Sequence, residues 1–278
     1  MEDSAAATPA DGVTDLVTHH YGATGLERRL LEALAADGVD IARLTVEDLA
    51  PVDELHAGGV PATQHVLSCL DLREGSRLLD VGCGLGGSSR VAASSYPCRV
   101  TGADLTPEFV RTAAALTARV GLSDQVTFET SSVDRLLFGD GSFDAAMMIH
   151  VGMNLPDKPA VFAEVRRVLT PGGRFAIFDQ MLGSHGELNY PLPWAPDARS
   201  SFVETTDRYG ELLREAGFEV EREEDRSASI SWPQAVGSLS RPGLHVVFGP
   251  DWAERIGNQI AGAHSGALLP WLVVGRAV

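Results

Sequence analysis

The sequence is poor in cysteine, in positive charge and in long apolar runs. Three cysteines, Cys69, Cys83 and Cys98, are too few and too odd a number for a disulfide framework, which favours a reducing compartment. The 22 Lys and Arg residues against 38 Asp and Glu give a net charge of −16. Nucleic-acid binders need a basic face and anionic membranes repel acidic proteins, so we expect neither partner. No apolar run reaches the roughly 18–20 residues of a membrane helix, and the acidic N-terminus lacks a signal-peptide pattern.

What is present is an ordinary globular composition. The chain has 278 residues, of which 44% are hydrophobic and 22% are charged, so we expect a cytoplasmic protein with a sizeable core. Residues 1–12 are small, acidic and interrupted by Pro9, which predicts a flexible tail. Residues 13–70 predict a helical N-terminal cap, because apolar residues within 26–34 recur near the helical period.

Short apolar runs alternate with helical segments between residues 71 and 180, the predicted ligand-binding core. The predicted strands are 77–81, 99–104, 125–129, 143–149 and 174–179, and the predicted helices between them are 88–95, 107–120 and 158–169; the predicted helix 61–70 belongs to the cap. Thr106 is the expected N-cap of one helix, and 170–173 is expected to end another. This alternation is typical of a parallel sheet covered by helices on both faces.

Residues 181–278 add a lid and two further strands. The segment 182–202 holds three prolines with Tyr190 and Trp194, which predicts an ordered loop. Strands at 218–223 and 271–278, with helices at 206–216 and 252–260, bring the count to seven strands. We therefore expect one α/β domain with a Rossmann-like seven-stranded sheet, a helical cap and lid insertions.

The most informative stretch is a glycine-rich loop after the first predicted strand, Leu78-Leu79-Asp80-Val81-Gly82-Cys83-Gly84-Leu85-Gly86-Gly87. Glycine lets the backbone turn tightly and approach a ligand, and the next helix offers free N–H groups. Asp104 ends the second predicted strand, 17 residues beyond Gly87, near the spacing of about 20 for a ribose-binding acid. The loop therefore predicts a nucleotide-like ligand.

Two ligand classes fit these glycines. Gly82, Gly84 and Gly87 match the dinucleotide pattern G-x-G-x-x-G, whereas Gly82, Gly84 and Gly86 match the E/D-x-G-x-G-x-G pattern of adenosylmethionine enzymes. Asp80 favours the second class, because a carboxylate repels a pyrophosphate and attracts a cationic amino-acid group. A structural turn without any ligand is the third interpretation.

Taken with the later motifs, the chain resembles the class I S-adenosylmethionine-dependent methyltransferases over about residues 13–278. The resemblance is carried by the glycine loop and by Asp140-Gly141-Ser142-Phe143-Asp144, His150-Val151-Gly152-Met153-Asn154 and Arg167-Val168-Leu169-Thr170-Pro171-Gly172-Gly173. The segment Asp53-Glu54-Leu55-His56-Ala57-Gly58-Gly59 is similar to a motif of the small-molecule branch typified by sarcosine/dimethylglycine-type methyltransferases. The resemblance also implies that the seventh strand is antiparallel.

The cofactor implied by the resemblance is S-adenosyl-L-methionine, with S-adenosyl-L-homocysteine as product. It implies that Gly82, Gly84 and Gly86 contact the methionine end, that Asp104 accepts both ribose hydroxyls and that Leu105 flanks the adenine. The other implied cofactor contacts are Tyr21, His56, Gly58, Gly59, Asp80, Ser132, Val133 and Ile149. The family often has an Asp for the adenine amino group where Ser132 and Val133 stand here, and Asp134 is a substitute that the sequence leaves open.

His150 follows the fourth predicted strand, where the family places methyl transfer. An ordinary pKa near 6.5 suits it to accept a proton, so it is the candidate catalytic base; a packing or cofactor-contact role is the alternative. The candidate substrate-binding residues are His150, Met153, Asn154, Tyr190 and Trp194. No His or Cys cluster has ligand spacing, so we expect no metal.

The expected function is methyl transfer to N or O of a small molecule, with a small amine or amino acid as the first choice of acceptor. A specialised-metabolite O- or C-methyltransferase is the main alternative. An NAD-dependent oxidoreductase and a non-catalytic cofactor-binding protein are the rivals from other classes. The expected partner is the small-molecule acceptor, and a homodimer is left open.

Overall fold

A mixed seven-stranded sheet forms the centre of the computed structural model, which describes residues 25–230 and 244–278. The strands are β1 Arg77–Val81, β2 Arg99–Asp104, β3 Val126–Thr130, β4 Phe143–Ile149, β5 Leu169–Leu182, β6 Phe218–Asp225 and β7 Leu268–Ala277. Their order is β3-β2-β1-β4-β5-β7-β6. Neighbours from β3 to β5 pair in parallel, and β7 is antiparallel to both β5 and β6. The expected fold class and the antiparallel seventh strand are confirmed.

The helices cover the sheet and cap its ligand-binding edge. They are α1 Leu26–Ala36, α2 Val46–Asp53, α3 Gly59–Ser68, α4 Gly87–Ser95, α5 Pro107–Arg119, α6 Lys158–Val168, α7 Thr206–Glu215, α8 Leu244–Phe248 and α9 Trp252–Ser265. Local signals set several starts: Thr45 and Asp48 form a capping box on α2, and Asp157 caps α6 through the Ala160 amide. None of the helices in the described ranges is long and apolar enough to cross a membrane.

The core lies in two layers, one on each face of the sheet. Alternate residues of β1 divide between them: Leu79 packs with the layer under α6 and α7, and Leu78 with the layer under α3 and α4. The β4 strand does the same, with Met148 in the first layer and Met147 in the second. Because both faces are buried, these strands are almost continuously apolar, as in other parallel sheets.

Two details differ from the sequence prediction. The segment 170–173 does not end α6 before a separate strand, because Leu169 already pairs with Phe143 and β5 runs from there to Leu182. The register then shifts before Arg174 pairs with Ala145, so the segment is an irregularity within the strand. Thr106 precedes α5, but its side chain makes no capping hydrogen bond.

The order of strands explains where a ligand can bind. The chain moves outward from β1 through β2 to β3, then returns to place β4 on the other side of β1. Open α/β sheets bind ligands outside the carboxyl ends of the strands at such a reversal. The residues that follow β1, end β2 and follow β4 are Gly82, Asp104 and His150, and they meet at this edge.

Candidate active site

A cavity of about 360 Å³ opens at the carboxyl edge of the sheet, within the usual size of a small-molecule site. Thirteen of the residues predicted for the site line it: His56, Asp80, Gly82, Gly84, Asp104, Leu105, Ser132, Val133, Ile149, His150, Met153, Asn154 and Trp194. Gly58, Gly59, Gly86 and Tyr190 do not line it. Tyr21 lies outside the described residues.

The glycine loop presents its backbone to this cavity. Gly82 and Gly84 have left-handed backbones, with φ of 75° and 52°, which favour glycine. A Cβ on Gly82 would lie 2.6 Å from Val151 Cγ2, whereas a Cβ on Gly84 would meet nothing within 4 Å. Gly82 therefore allows close packing behind the loop, and Gly84 leaves open space in front of it.

Three of the predicted site residues that do not line the cavity pack against other parts of the protein. A Cβ on Gly86 would lie 2.6 Å from the Phe128 ring, so this glycine packs the loop against β3 and away from the cavity. Gly58 precedes α3 and faces Ala62. Tyr190 packs against the apolar cluster that contains Trp194.

Two carboxylates stand at the strand ends. Asp104 Oδ2 accepts a hydrogen bond from the Gly84 amide at 2.9 Å, and Oδ1 accepts one from the Thr106 amide at 2.8 Å. Asp80 is buried beside the loop and accepts a hydrogen bond from Ser89 Oγ at 2.6 Å. Burial raises the pKa of Asp104, and it raises the pKa of Asp80 to about 7. Both groups therefore gain from a cationic or hydrogen-bond-donating ligand.

A buried polar network fixes the segment between α2 and α3 against the glycine loop. Glu54 accepts hydrogen bonds from Thr63 Oγ1 at 2.5 Å and Ser88 Oγ at 3.1 Å, and pairs with His56 Nε2 at 2.7 Å. Burial opposes charge on His56, but the Glu54 carboxylate, the Ala57 carbonyl and the charge of Asp80 together favour it, so the pKa of His56 is raised. His56 therefore carries positive charge at the edge of the cavity more readily than an ordinary histidine.

His150 occupies an unusual position at the end of β4. Its backbone has φ of 54°, which is rare for a residue other than glycine, and its amide donates to the Phe178 carbonyl at 2.8 Å. The ring lies 5.3 Å from that of Phe178 and 5.6 Å from that of His56. Its Nε2 is buried and has no hydrogen-bond partner within the described residues.

The environment of His150 keeps its ring neutral. Burial, and then the charge of His56, lower the pKa of His150 well below its ordinary value of 6.5. A neutral imidazole has one nitrogen with a free lone pair, so it can accept a proton. The same site thus holds one histidine that favours the charged form and one that favours the neutral form, so only the second keeps a lone pair free to accept a hydrogen bond or a proton.

The lid closes the far side of the cavity. Leu192 and Ala195 exchange backbone hydrogen bonds of 2.7 and 3.1 Å, and this tight turn carries Trp194. The Trp194 indole donates to Ser201 Oγ at 3.0 Å and packs in a cluster with Met153 and Leu268. The ring is therefore held as a fixed wall near the residues that follow His150.

Several lining residues were not predicted from the sequence. They are Asp53, Leu55, Cys83, Leu85, Ser88, Thr106, Phe109, Val151, Leu155, Pro156, Asp157, Val161, Pro193, Val247, Phe248 and Gln259. Asp134, the substitute for the adenine contact that the sequence leaves open, also lines the cavity. Phe109 had a usable signal, since it lies in the first turn of the helix that follows Asp104. Gln259 had no such signal, because α9 belongs to an insertion and does not directly follow one of the parallel strands whose ends form the site. Across residues 25–230 and 244–278, no three His, Cys, Asp or Glu side chains are grouped to hold a metal ion.

The chain is similar to known methyltransferases over this site. Residues 79–177 match the model of a methyltransferase domain. Phosphoethanolamine N-methyltransferase 3 of Arabidopsis thaliana is 32% identical over 176 residues, which are 61% of this chain and 34% of that protein. The chain thus spans about a third of the length of this plant relative.

A bacterial relative and a solved structure match over more of their length. Methyltransferase GfsG of Streptomyces halstedii is 33% identical over 198 residues, which are 69% of each chain. The crystal structure of the [4+2]-cyclase SpnF has a TM-score of 0.71 at 23% identity and covers 95% of this chain and 96% of its own. The structural likeness shows the fold, and the sequence relatives confirm the resemblance drawn from the motifs. The chain belongs to the class I S-adenosylmethionine-dependent methyltransferases.

Proposed function

We propose that this chain transfers a methyl group from S-adenosylmethionine to N or O of a small molecule. The observation that carries the proposal is the unpartnered Nε2 of a neutral His150 beside the cavity lined by Gly84 and Asp104. A buried imidazole nitrogen without a partner is costly, and a ligand with an N–H or O–H group would satisfy it. In the tautomer with its proton on Nδ1, neutral His150 leaves Nε2 able to take the proton.

The residues of the glycine-loop end fit the cofactor. The open space at Gly84 gives a bound ligand access to the backbone. Each oxygen of Asp104 accepts one backbone hydrogen bond, so each keeps a lone pair for one of two ribose hydroxyls. Asp80 supplies negative charge for a cationic amino-acid group, and Leu105 with Ser132 and Val133 line the side where we place the adenine. When bound, S-adenosylmethionine supplies an electrophilic methyl group on a sulfonium.

The protein's own residues supply position and a proton acceptor. His150 accepts the proton of the acceptor's N or O at Nε2, a role worth about 10²–10⁴ in rate. Glu54 and the charged His56 hold their side of the cavity through the buried network. Met153, Asn154 and Trp194 form the walls that orient the acceptor and exclude water, and orientation contributes much of the rate in reactions of this kind.

The identity of the acceptor stays a prediction. A small amine is consistent with the name of the plant phosphoethanolamine N-methyltransferase, and a specialised-metabolite acceptor is the alternative. A solved structure with this fold is named as a [4+2]-cyclase, so fold alone does not carry methyl transfer. The proposal of methyl transfer therefore rests on the residues of the site, and these residues are what the experiment tests.

The test is release of adenosylhomocysteine from purified protein and S-adenosylmethionine with a panel of acceptors. The panel holds glycine, sarcosine, dimethylglycine, phosphoethanolamine, phenols, aliphatic alcohols and small carboxylic acids. His150→Gln should lower kcat by about 10²–10⁴ while the calorimetric Kd for adenosylhomocysteine stays within a few fold. His65→Gln is the matched control, because His65 lies on α3 outside the cavity, where it pairs with Glu224 of β6.

Each contrary outcome has a separate meaning. Full turnover in both His150→Gln and Asp104→Ala would refute the assignment of the site. Tight adenosylhomocysteine binding with no turnover on any acceptor would favour a non-catalytic binding protein. A gain in melting temperature with NAD and none with adenosylhomocysteine would select an oxidoreductase.

A further inference from the structure

One face of α9 is pressed against the lid. Arg255, Gln259 and Gly262 are buried and lie at positions i, i+4 and i+7 of the helix, which places them on one side. Arg255 Nη1 donates to the Leu192 carbonyl at 2.8 Å. A Cβ on Gly262 would lie 3.0 Å from Leu268 Cδ1. Gln259 therefore stands between two contacts with the apolar cluster of the lid.

That cluster also connects α9 to the catalytic end of the cavity. Leu192 and Leu268 pack in it with Trp194 and with Met153, which comes three residues after His150. The helix is fixed from a second side, because Asn258 Nδ2 donates to the Pro191 carbonyl at 3.0 Å. Gln259 is thus held on a rigid frame within the half of the cavity that faces the lid.

Two polar side chains near Gln259, those of Arg255 and Asn258, hydrogen-bond to the lid, whereas the side chain of Gln259 does not. Its residue is only 7% exposed and lines the cavity. Within the described residues its amide has no hydrogen-bond partner, although Arg255 and Asn258 both have one on the lid. Unlike the amide of Gln180, whose atoms are fully buried, the amide of Gln259 is open to the cavity, where a ligand can bind to it.

The surroundings of Gln259 define the chemistry of that partner. An amide both donates and accepts hydrogen bonds but has no charge. The lid end of the cavity is lined by the apolar side chains of Met153 and Trp194, which pack in one cluster, and Phe248 of α8 also lines the cavity. Carboxylates and phosphates are recognised best by Arg or Lys, whereas hydroxyl, carbonyl and amide groups are matched by a neutral amide.

We infer that Gln259 binds the methyl acceptor by an uncharged polar group, a hydroxyl, carbonyl or amide, and that the acceptor's apolar or aromatic skeleton packs against Trp194. This inference rests on the proposed function, since it assigns the second half of the same cavity to the acceptor. Gln259 would then determine specificity without touching the transferred group. The residue that selects the substrate then lies on α9, in the insertion between β6 and β7.

Four probes with one skeleton test the inference: benzamide, benzyl alcohol, benzoate and benzylamine. Their affinities are measured by ligand-observed NMR titration on the full chain saturated with adenosylhomocysteine. Benzamide and benzyl alcohol should bind several-fold more tightly than benzoate. Gln259→Leu should weaken both by roughly 2- to 13-fold, the range for one neutral hydrogen bond, and leave the Kd for adenosylhomocysteine unchanged.

A charge variant separates recognition from simple packing. Gln259→Glu keeps the size of the side chain but adds a negative charge, so it should weaken benzamide and strengthen benzylamine. Asn258→Ala is the matched control: it removes a contact with the lid from the neighbouring residue and should leave the order of the four probes unchanged.

Unchanged probe affinities in Gln259→Leu would overturn the inference, as would an unchanged benzylamine-to-benzamide ratio in Gln259→Glu. Failure of the wild-type chain to bind any of the four probes would overturn it as well. Failure of the wild-type chain to bind adenosylhomocysteine would instead refute the proposed function, so the two are distinguishable.

Discussion

Asp104→Asn should separate the ribose contact from every other feature of the cofactor site. The carboxylate accepts one amide hydrogen bond on each oxygen, from Gly84 at 2.9 Å and from Thr106 at 2.8 Å. Asparagine has one acceptor oxygen, so one of these amides loses its partner, which costs about 1–3 kcal/mol of folding free energy. The neutral amide also loses the charge-assisted bonds to two ribose hydroxyls, worth about 1.5–3 kcal/mol each.

The expected loss in cofactor affinity follows from these bonds. We take the net change as about 2–4 kcal/mol, because asparagine retains one weaker contact. This corresponds to an increase in Kd of roughly 30- to 800-fold. The assay is calorimetric titration with adenosylhomocysteine, and a thermal melt checks that the variant is folded at the assay temperature.

A change in the ligand provides the decisive control. An analogue of adenosylhomocysteine without the 2′ and 3′ hydroxyls should bind the wild-type chain much more weakly than the parent ligand. In Asp104→Asn the two ligands should bind with nearly equal affinity, because residue 104 has lost its strong hydrogen bonds to the two hydroxyls by which these ligands differ. If the ratio of the two Kd values were the same in both proteins, Asp104 would not contact the ribose and the reasoning from its free lone pairs would be wrong.

Other perturbations probe the loop and the charges around it. Burial raises the pKa of Asp80 to about 7, and a cationic ligand group favours the ionised carboxylate. Adenosylhomocysteine should therefore bind more tightly as pH rises from about 6 to 8 and displace a proton near pH 7, which calorimetry in buffers of different ionisation enthalpy detects and Asp80→Asn removes. Gly82→Ala should lower the free energy of unfolding by about 2–5 kcal/mol through left-handed strain and overpacking, measured by denaturant titration. Gly84→Ala should cost only about 1–2 kcal/mol of strain yet block adenosylhomocysteine, because its Cβ points into open space. Glu54→Gln removes the charge that raises the pKa of buried His56, so imidazole NMR at pH 6.5 should show that ring neutral instead of mostly charged.

The cofactor end of the cavity could be predicted from the sequence because one geometric rule governs it. Parallel strands end at the same edge of a sheet, so residues that end or follow separate strands converge there. Gly82, Asp104 and His150 are far apart in sequence, and each was placed by the strand before it. The rule does not say which residues of a loop line the cavity, and Gly86 lies against Phe128 and is not among the lining residues.

The lid end could not be predicted in the same way. Its residues come from a loop after β5 and from α9, whose positions depend on long-range contacts such as the bond from Arg255 to the Leu192 carbonyl. Helical periodicity does indicate that Arg255 and Gln259 share a face. It does not indicate that one of the two binds the lid while the other faces a cavity.

The boundary between these two ends coincides with the end of the segment that matches the methyltransferase-domain model. The methyltransferase model matches residues 79–177, which contain the glycine loop, Asp104 and His150. Trp194 and Gln259 lie beyond it, on segments that the sheet does not require for its topology. The matched part is acidic where it meets the cavity, as a cationic cofactor demands, and the lid part is neutral and apolar. Cofactor chemistry can therefore stay constant while the lid changes, so substitutions in the lid should alter which acceptor binds without altering the affinity for adenosylhomocysteine.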